Sequence, residues 1–361
     1  MCATSWLTAP PAASAMPATV LAQPSAQPAS DNGPHLPRIA RRLAGLGLAA
    51  VIVAVLVAAL PGLGEVRDAF RRVEPGWLAV TALLEIGSIL AFVAAFRGIY
   101  CGHLPWRLSY RIAVAEQGAN VLVPTGGAGG LAVGAWALAR AGMDTERVAR
   151  RSVSFFVLTS GVNFAVAIVV GLLLTVGVLP SDVALGWKIG PTLAALLVVA
   201  TVCVTPSIVR RLPVNEVNPG RVRTLLARGG DALADGIRDA GSLLLQHRLW
   251  VLVGSVGYLA FDAAALWAAF HAFGGSPEAS TFLLAYVVGQ LGGLIPLPGG
   301  LGGTDGGLIA ALTLYGTPVS GAAASVLGYR LFQLGLPAVL GTLAIVGLRR
   351  DPAQGEADAC N

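Results

Sequence analysis

Charge is scarce in this 361-residue chain: Asp, Glu, Lys and Arg together make up 12% of it, about half the share of an ordinary soluble domain. Lysine is nearly missing, with Lys188 the sole example. The four cysteines (Cys2, Cys101, Cys203, Cys360) lie far apart, with no CxxC or Cys/His spacing. Neither a zinc site nor a disulfide framework is expected from them. His35, His103, His247 and His271 all fall outside the interiors of apolar runs, and no GxSxG or HExxH is present, which argues against an enzyme. No lysine follows a glycine-rich loop, which excludes a Walker-type nucleotide site. What the chain does have is apolar surface: 55% hydrophobic residues and a mean hydropathy of +0.73. These values define a polytopic, all-α membrane protein. The pI near 9.3 then marks arginine-rich loops rather than nucleic-acid binding.

Residues 1–37 are rich in Pro, Ala and Ser and carry no basic leader; they read as a disordered tail. A crossing needs about 20 apolar residues, and full spans are expected at 42–60, 76–96, 152–179, 189–206, 249–273 and 318–348. The membrane domain thus covers 38–350, with a long connection at 207–248 and a C-terminal tail at 351–361.

Two glycine-rich breaks interrupt this pattern, PTGGAGG at 124–130 and PGGLGG at 298–303. Proline and contiguous glycine break a membrane helix, and the freed backbone groups must be satisfied within protein. The flanking apolar stretches, in 108–142 and 281–316, are short for a crossing and suit re-entrant hairpins. The expected architecture is six full transmembrane helices plus two such hairpins, or up to ten crossings if the hairpins span.

Arginine placement sets orientation. Arg38, Arg41 and Arg42 precede the first span; Arg97, Arg107 and Arg111, Arg140 to Arg151, the 207–248 connection, and Arg349 and Arg350 all fall on that same side. Both termini are therefore expected in the cytoplasm, with the protein in the inner (plasma) membrane. A shift of 174 residues aligns Ala94-Ala95-Phe96 with Ala268-Ala269-Phe270, Pro124 with Pro298, Gly126 with Gly300, Gly129 with Gly303 and Gly142 with Gly316. An odd number of crossings separates the copies, about 76–179 and 250–348. The expectation is an inverted repeat with hairpin tips meeting near the midplane.

Ionisable residues within apolar segments are costly and default to functional candidates. Glu85, Glu116, Asp262, Asp305 and Arg330 are such residues. Glu116 leads into the first break with Gln117 and Asn120 beside it, and its repeat partner is Gln290. Asp305 opens the half-helix after the second break, where a carboxylate gains from the helix dipole. Arg330 has two candidate partners, Asp305 and Glu116, and also suits an anionic lipid phosphate. The loop residues Pro124, Gly126, Gly127, Gly129, Pro298, Gly299, Gly300 and Gly302 would present backbone amides to an anionic head group. For Glu85 and Asp262, pairing that merely locks the bundle is an equal reading.

The run EQGANVLVPTGGAGGLAVGAWALARAGM and the run IPLPGGLGGTDGGLIAALTLYGTPVSGAAASVLGYRLFQLGLPAVLG resemble the two signatures of the flippase-like membrane family. That family includes the transmembrane half of bacterial lysylphosphatidylglycerol synthase. The resemblance spans about 76–348 and is carried by Asn120, Pro124, Gly126, Pro298, Gly299, Gly300, Gly302, Asp305 and Arg330. It implies two inverted halves around a central cavity and a phospholipid or polyprenyl-linked lipid as cargo. Two departures stand out. The family usually has Glu at the place of Asp305, and charged residues where this chain has Gly129, Gly130 and Gly134, leaving Glu116 and Arg151 as substitutes. No aminoacyl-transferase domain is present, so lipid modification is not expected.

The reading is an integral membrane lipid flippase without cofactor or metal, its partner a membrane lipid. A homodimer and a separately encoded lipid-synthesis enzyme are compatible further partners. The alternatives are a non-catalytic subunit of a lipid or envelope-glycan synthesis system and a small-solute secondary transporter.

Overall fold

Proline and glycine punctuate the helices where the sequence places them. The computed structural model describes residues 64–123, 128–179, 184–211, 221–245, 249–290, 303–351 and 355–360. A short amphipathic helix, α1 (Gly64–Arg71), precedes α2 (Pro75–Tyr100), which opens with proline in its first turn, where no amide partner is lost. Then come α3 (Trp106–Leu122), α4 (Ala128–Arg140) and α5 (Thr145–Val176). The side chain of Asp144 accepts the Arg147 amide at 3.1 Å to cap α5, and Gly177 ends that helix in the left-handed conformation. Next are α6 (Leu185–Arg211), α7 (Arg221–Leu245), α8 (Leu249–Ala272), α9 (Ala279–Gln290), α10 (Gly303–Leu314) and α11 (Val319–Arg350). One 3₁₀ turn, Asp358–Cys360, follows.

Among the described residues, five helices are long and apolar enough to cross a membrane: α2, α5, α6, α8 and α11. They coincide with five of the six predicted spans; the sixth, 42–60, lies outside the described residues. The connection at 207–248 is more structured than predicted. Its α7 buries Gly236, Ala240 and Leu243 along one face, and is tied to α5. There Asp239 receives Arg151 Nη1 at 3.2 Å and Ser154 Oγ at 2.9 Å.

The four helices flanking the breaks are short: α3 has 17 residues, α4 13, and α9 and α10 12 each. At 1.5 Å per residue none exceeds about 26 Å, less than the ~30 Å hydrocarbon core. Helix α3 packs on α4, and α9 on α10.

The helix register repeats at an offset of 174 residues. Helices α5 and α11 each have 32 residues and begin and end at that spacing; α2 and α8 also start at it. Gly142 and Gly316 stand in matching turns with φ of +105° and +98°. Packing follows the same exchange: α3 lies on α11, and its counterpart α9 on α5. The most extensive contact joins α2 to α8. It is made close by Gly254, where a Cβ would meet backbone atoms of Ala91 and Ala95. Gly118 and Gly341 bring α3 and α11 equally near, the small-residue contact by which helices associate in lipid.

A disulfide between Cys101 and Cys360 corrects the expectation drawn from cysteine spacing. The last described residues of the tail stand beside the end of α2, a neighbourhood that no local spacing encodes. Ala357 donates its amide to the Ala141 carbonyl at 2.9 Å, and Arg111 pairs with Asp351 at 3.1 Å.

Candidate functional site

The second half of the bundle holds a continuous polar network inside an apolar core. Asp262 projects from α8 and is only 5% exposed. On α9, Tyr286 and Gln290 are one turn apart, hence on one face; on α11, Tyr329 and Gln333 are related in the same way. All four side chains converge on Asp262. Its Oδ2 accepts from the Tyr286 hydroxyl, from the Tyr329 hydroxyl at 2.7 Å and from Gln290 Nε2 at 3.4 Å. Its Oδ1 accepts from Gln333 Nε2 at 3.3 Å. Gln290 also donates to the Tyr286 hydroxyl oxygen at 2.9 Å.

Arg330 extends this network toward the second break. Its Nε donates to Asp305 Oδ1 at 2.5 Å, and its Nη1 donates to the Gln333 carbonyl oxygen. The guanidinium also lies 5.7 Å from the ring centre of Tyr329. Its Nη2 is buried without a hydrogen-bond partner among the described residues. Asp305 stands in the first turn of α10, where the helix dipole supports its charge. Glu85, from α2, is 3% exposed, and its Oε2 has no hydrogen-bond partner among the described residues.

The first break is built differently. Asn120 Oδ1 accepts the Gly130 amide at 2.8 Å, so Asn120 caps the first turn of α4 and ties the hairpin together. A Cβ on Gly130 would collide with the Asn120 amide, and one on Gly134 with the Glu116 carboxylate. Those glycines, which stand where the family's charges were expected, are seats for the polar side chains of α3. Glu116 is 2% exposed, and its Oε2 and the Gln117 side-chain carbonyl oxygen have no hydrogen-bond partner among the described residues. Gly129 sits in the first turn of α4.

Of the sequence-predicted site residues, Gln290, Asp305 and Arg330 meet in one network. Glu116, Gln117 and Asn120 form a separate group; among the described residues, no hydrogen bond or ion pair joins them to Arg330, whose partner is Asp305. Pro124, Gly126, Gly127, Pro298, Gly299, Gly300 and Gly302 lie outside the described residues. Arg151, the proposed substitute arginine, faces α7 instead, because Asp239 offers it a carboxylate there. Tyr286, Tyr329 and Gln333 escaped sequence reading. The available signal was a polar group one turn from another within each apolar helix.

The family model described as lysylphosphatidylglycerol synthase TM region matches residues 42–341. No curated protein gives a match. The match covers most of the chain, which belongs to this family.

Proposed function

We propose that this member of the lysylphosphatidylglycerol synthase TM region family is a lipid flippase that moves an anionic or amphipathic lipid between leaflets rather than modifying it. One observation carries the reading. Arg330 is held at the start of a half-helix by Asp305 while its Nη2 has no hydrogen-bond partner among the described residues, leaving a guanidinium donor for a head-group phosphate. Buried charge of this kind in a membrane bundle marks a substrate path.

The repeated register supports an inverted pair of halves. Three crossings (α2, α5, α6) lie between the start of α2 and the start of α8, and an odd number reverses the second copy. On this reading the short pairs α3–α4 and α9–α10 are re-entrant and open to opposite sides. The arginine-bearing helix ends face the cytoplasm.

The test is leaflet exchange of a fluorescent phospholipid in vesicles carrying the purified full chain. Exchange above that of empty vesicles, abolished in Arg330→Gln, supports the reading. Exchange no faster than in empty vesicles overturns it.

A further inference from the structure

A cavity of about 590 Å³ opens at the end of the bundle opposite the C-terminal tail. Its lining includes Gly275, Tyr315, Gly316, Pro318 and Gly321. At the 174-residue offset these correspond to Cys101, Ala141, Gly142, Asp144 and Arg147, the surroundings of the docked tail. The two turns share one hydrogen-bond pattern. Met143 donates to Leu138 and Gly142 to Ala139; Thr317 donates to Leu312 and Gly316 to Thr313.

At the tail's dock, an acidic segment folded as a turn and one 3₁₀ turn lies over this turn. Ala357 donates its amide to the Ala141 carbonyl, and the Asp358 carboxylate occupies the space where a Gly142 side chain would stand. A Cβ on Gly316, by contrast, meets nothing within 4 Å. The helix starts differ as well. Asp144 caps α5 by accepting the Arg147 amide. Pro318 stands in that place for α11 and offers no side-chain cap, and the first turn of α11 has no acidic residue. Its first amides take no cap from the preceding side chain and form a seat for an oxyanion. Ser325, one turn further along the same helix, is an independent pointer: it lines the cavity, is 1% exposed, and its hydroxyl has no hydrogen-bond partner among the described residues. The charged lining residues Glu65, Arg72 and Glu278 are all exposed to solvent.

We propose that this cavity binds an acidic peptide segment of a partner protein, in the way the chain binds its own tail at the other end. The peptide would donate a backbone amide to the Tyr315 carbonyl. It would place a carboxylate over Gly316, where it caps the start of α11 in place of the Asp144 equivalent.

The probe is a labelled acetyl-Gly-Glu-Ala-Asp-Ala-amide peptide, a copy of residues 355–359, titrated onto the full chain in phosphatidylcholine nanodiscs and read by fluorescence anisotropy. Saturable binding is expected, weakened about tenfold or more when both acids are replaced by their amides or when Gly321→Leu fills the cavity. Because Gly321→Leu risks misfolding, Ser325→Ala serves as a second variant and should weaken binding several-fold. A melting temperature and a size-exclusion profile unchanged from those of the unaltered chain are the folding control for both variants. The proposal is overturned if the amide peptide binds equally well or if Gly321→Leu leaves binding unchanged. It is overturned too if inorganic phosphate at the peptide's own concentration displaces it, since the site would then take a simple oxyanion. Lipid exchange in the unaltered chain is untouched by any of these outcomes, so the flippase reading stands or falls separately.

Discussion

Arg330 on α11 and Asp305 on α10 form an ion pair with Nε to Oδ1 at 2.5 Å, across the exit of the second glycine-rich break. Both side chains are mostly shielded, at 14% and 22% exposure. Removing one partner leaves the other charge in low dielectric, a loss of about 3–5 kcal/mol for a buried pair. Asp305→Asn and Arg330→Gln are each expected to lower the melting temperature in detergent. The double variant should lose clearly less than the sum, because the two sites share one interaction. Strict additivity would show that the pair is not coupled.

Geometry separates charge from shape at the same position. Arg330→Lys keeps the charge but loses the fork that reaches Asp305 and Gln333 together. It should cut lipid exchange by about tenfold, equivalent to 1.4 kcal/mol. Asp305→Glu should retain most exchange, because a longer acid still reaches the guanidinium. Equal rates for Arg330→Lys and the unaltered chain would remove the fork from the mechanism.

Asp262 accepts from four side chains, and its hydrogen bonds are unequal in reach. Tyr329→Phe removes the 2.7 Å donor, and a hydrogen bond to a charged group contributes roughly 1.5–3 kcal/mol. Gln290→Leu removes a bond of only 3.4 Å to Asp262 and one to Tyr286, and should cost less. Thermal unfolding of the two variants in one detergent tests the order; a reversed order contradicts the assignment.

At the first break, Gly134→Ala drives a methyl group into the Glu116 carboxylate, an overpacking of about 1–3 kcal/mol. Shortening the acid with Glu116→Ala should relieve it. A double-mutant cycle on stability is expected to show that the pair is less damaged than Gly134→Ala alone. If Glu116→Ala gives no relief, the glycine serves some purpose other than seating that acid.

The Cys101–Cys360 bridge is read directly by mass spectrometry. In a Cys2→Ser background, the denatured, unreduced chain should take up one maleimide, at Cys203, and three after reduction. Three adducts before reduction would mean that the bridge does not form. Reduction should also lower the melting temperature, with about 2–4 kcal/mol typical of one bridge.

Much of this arrangement is legible in the sequence, and what is missing has a physical reason. Five spans follow from length and hydropathy, and Asp305 with Arg330 from the cost of charge in an apolar run. Gln290 follows from its correspondence with Glu116. Tyr286 and Tyr329 carry no such signal, because a tyrosine in a membrane helix reads as an aromatic packing residue. Its hydroxyl acquires meaning only when Asp262, 24 and 67 positions away, is folded against it. The glycines at 130 and 134 looked like lost charges, since one dimension cannot show Asn120 and Glu116 filling the space above them. The pairing of Cys101 with Cys360, 259 positions apart, is likewise a product of the tertiary path.

The backbone-level contact between α2 and α8 has a mechanical consequence for the network above it. Gly254 seats α8 against the main chain of Ala91 and Ala95, so Asp262 rides on a clamped frame. Its four donors come from two other helices, Tyr286 and Gln290 on α9, Tyr329 and Gln333 on α11. A shift of α9 alone frees one pair of donors while the other still holds the carboxylate. Asp262 is therefore held twice over: either pair of donors alone leaves its carboxylate hydrogen-bonded.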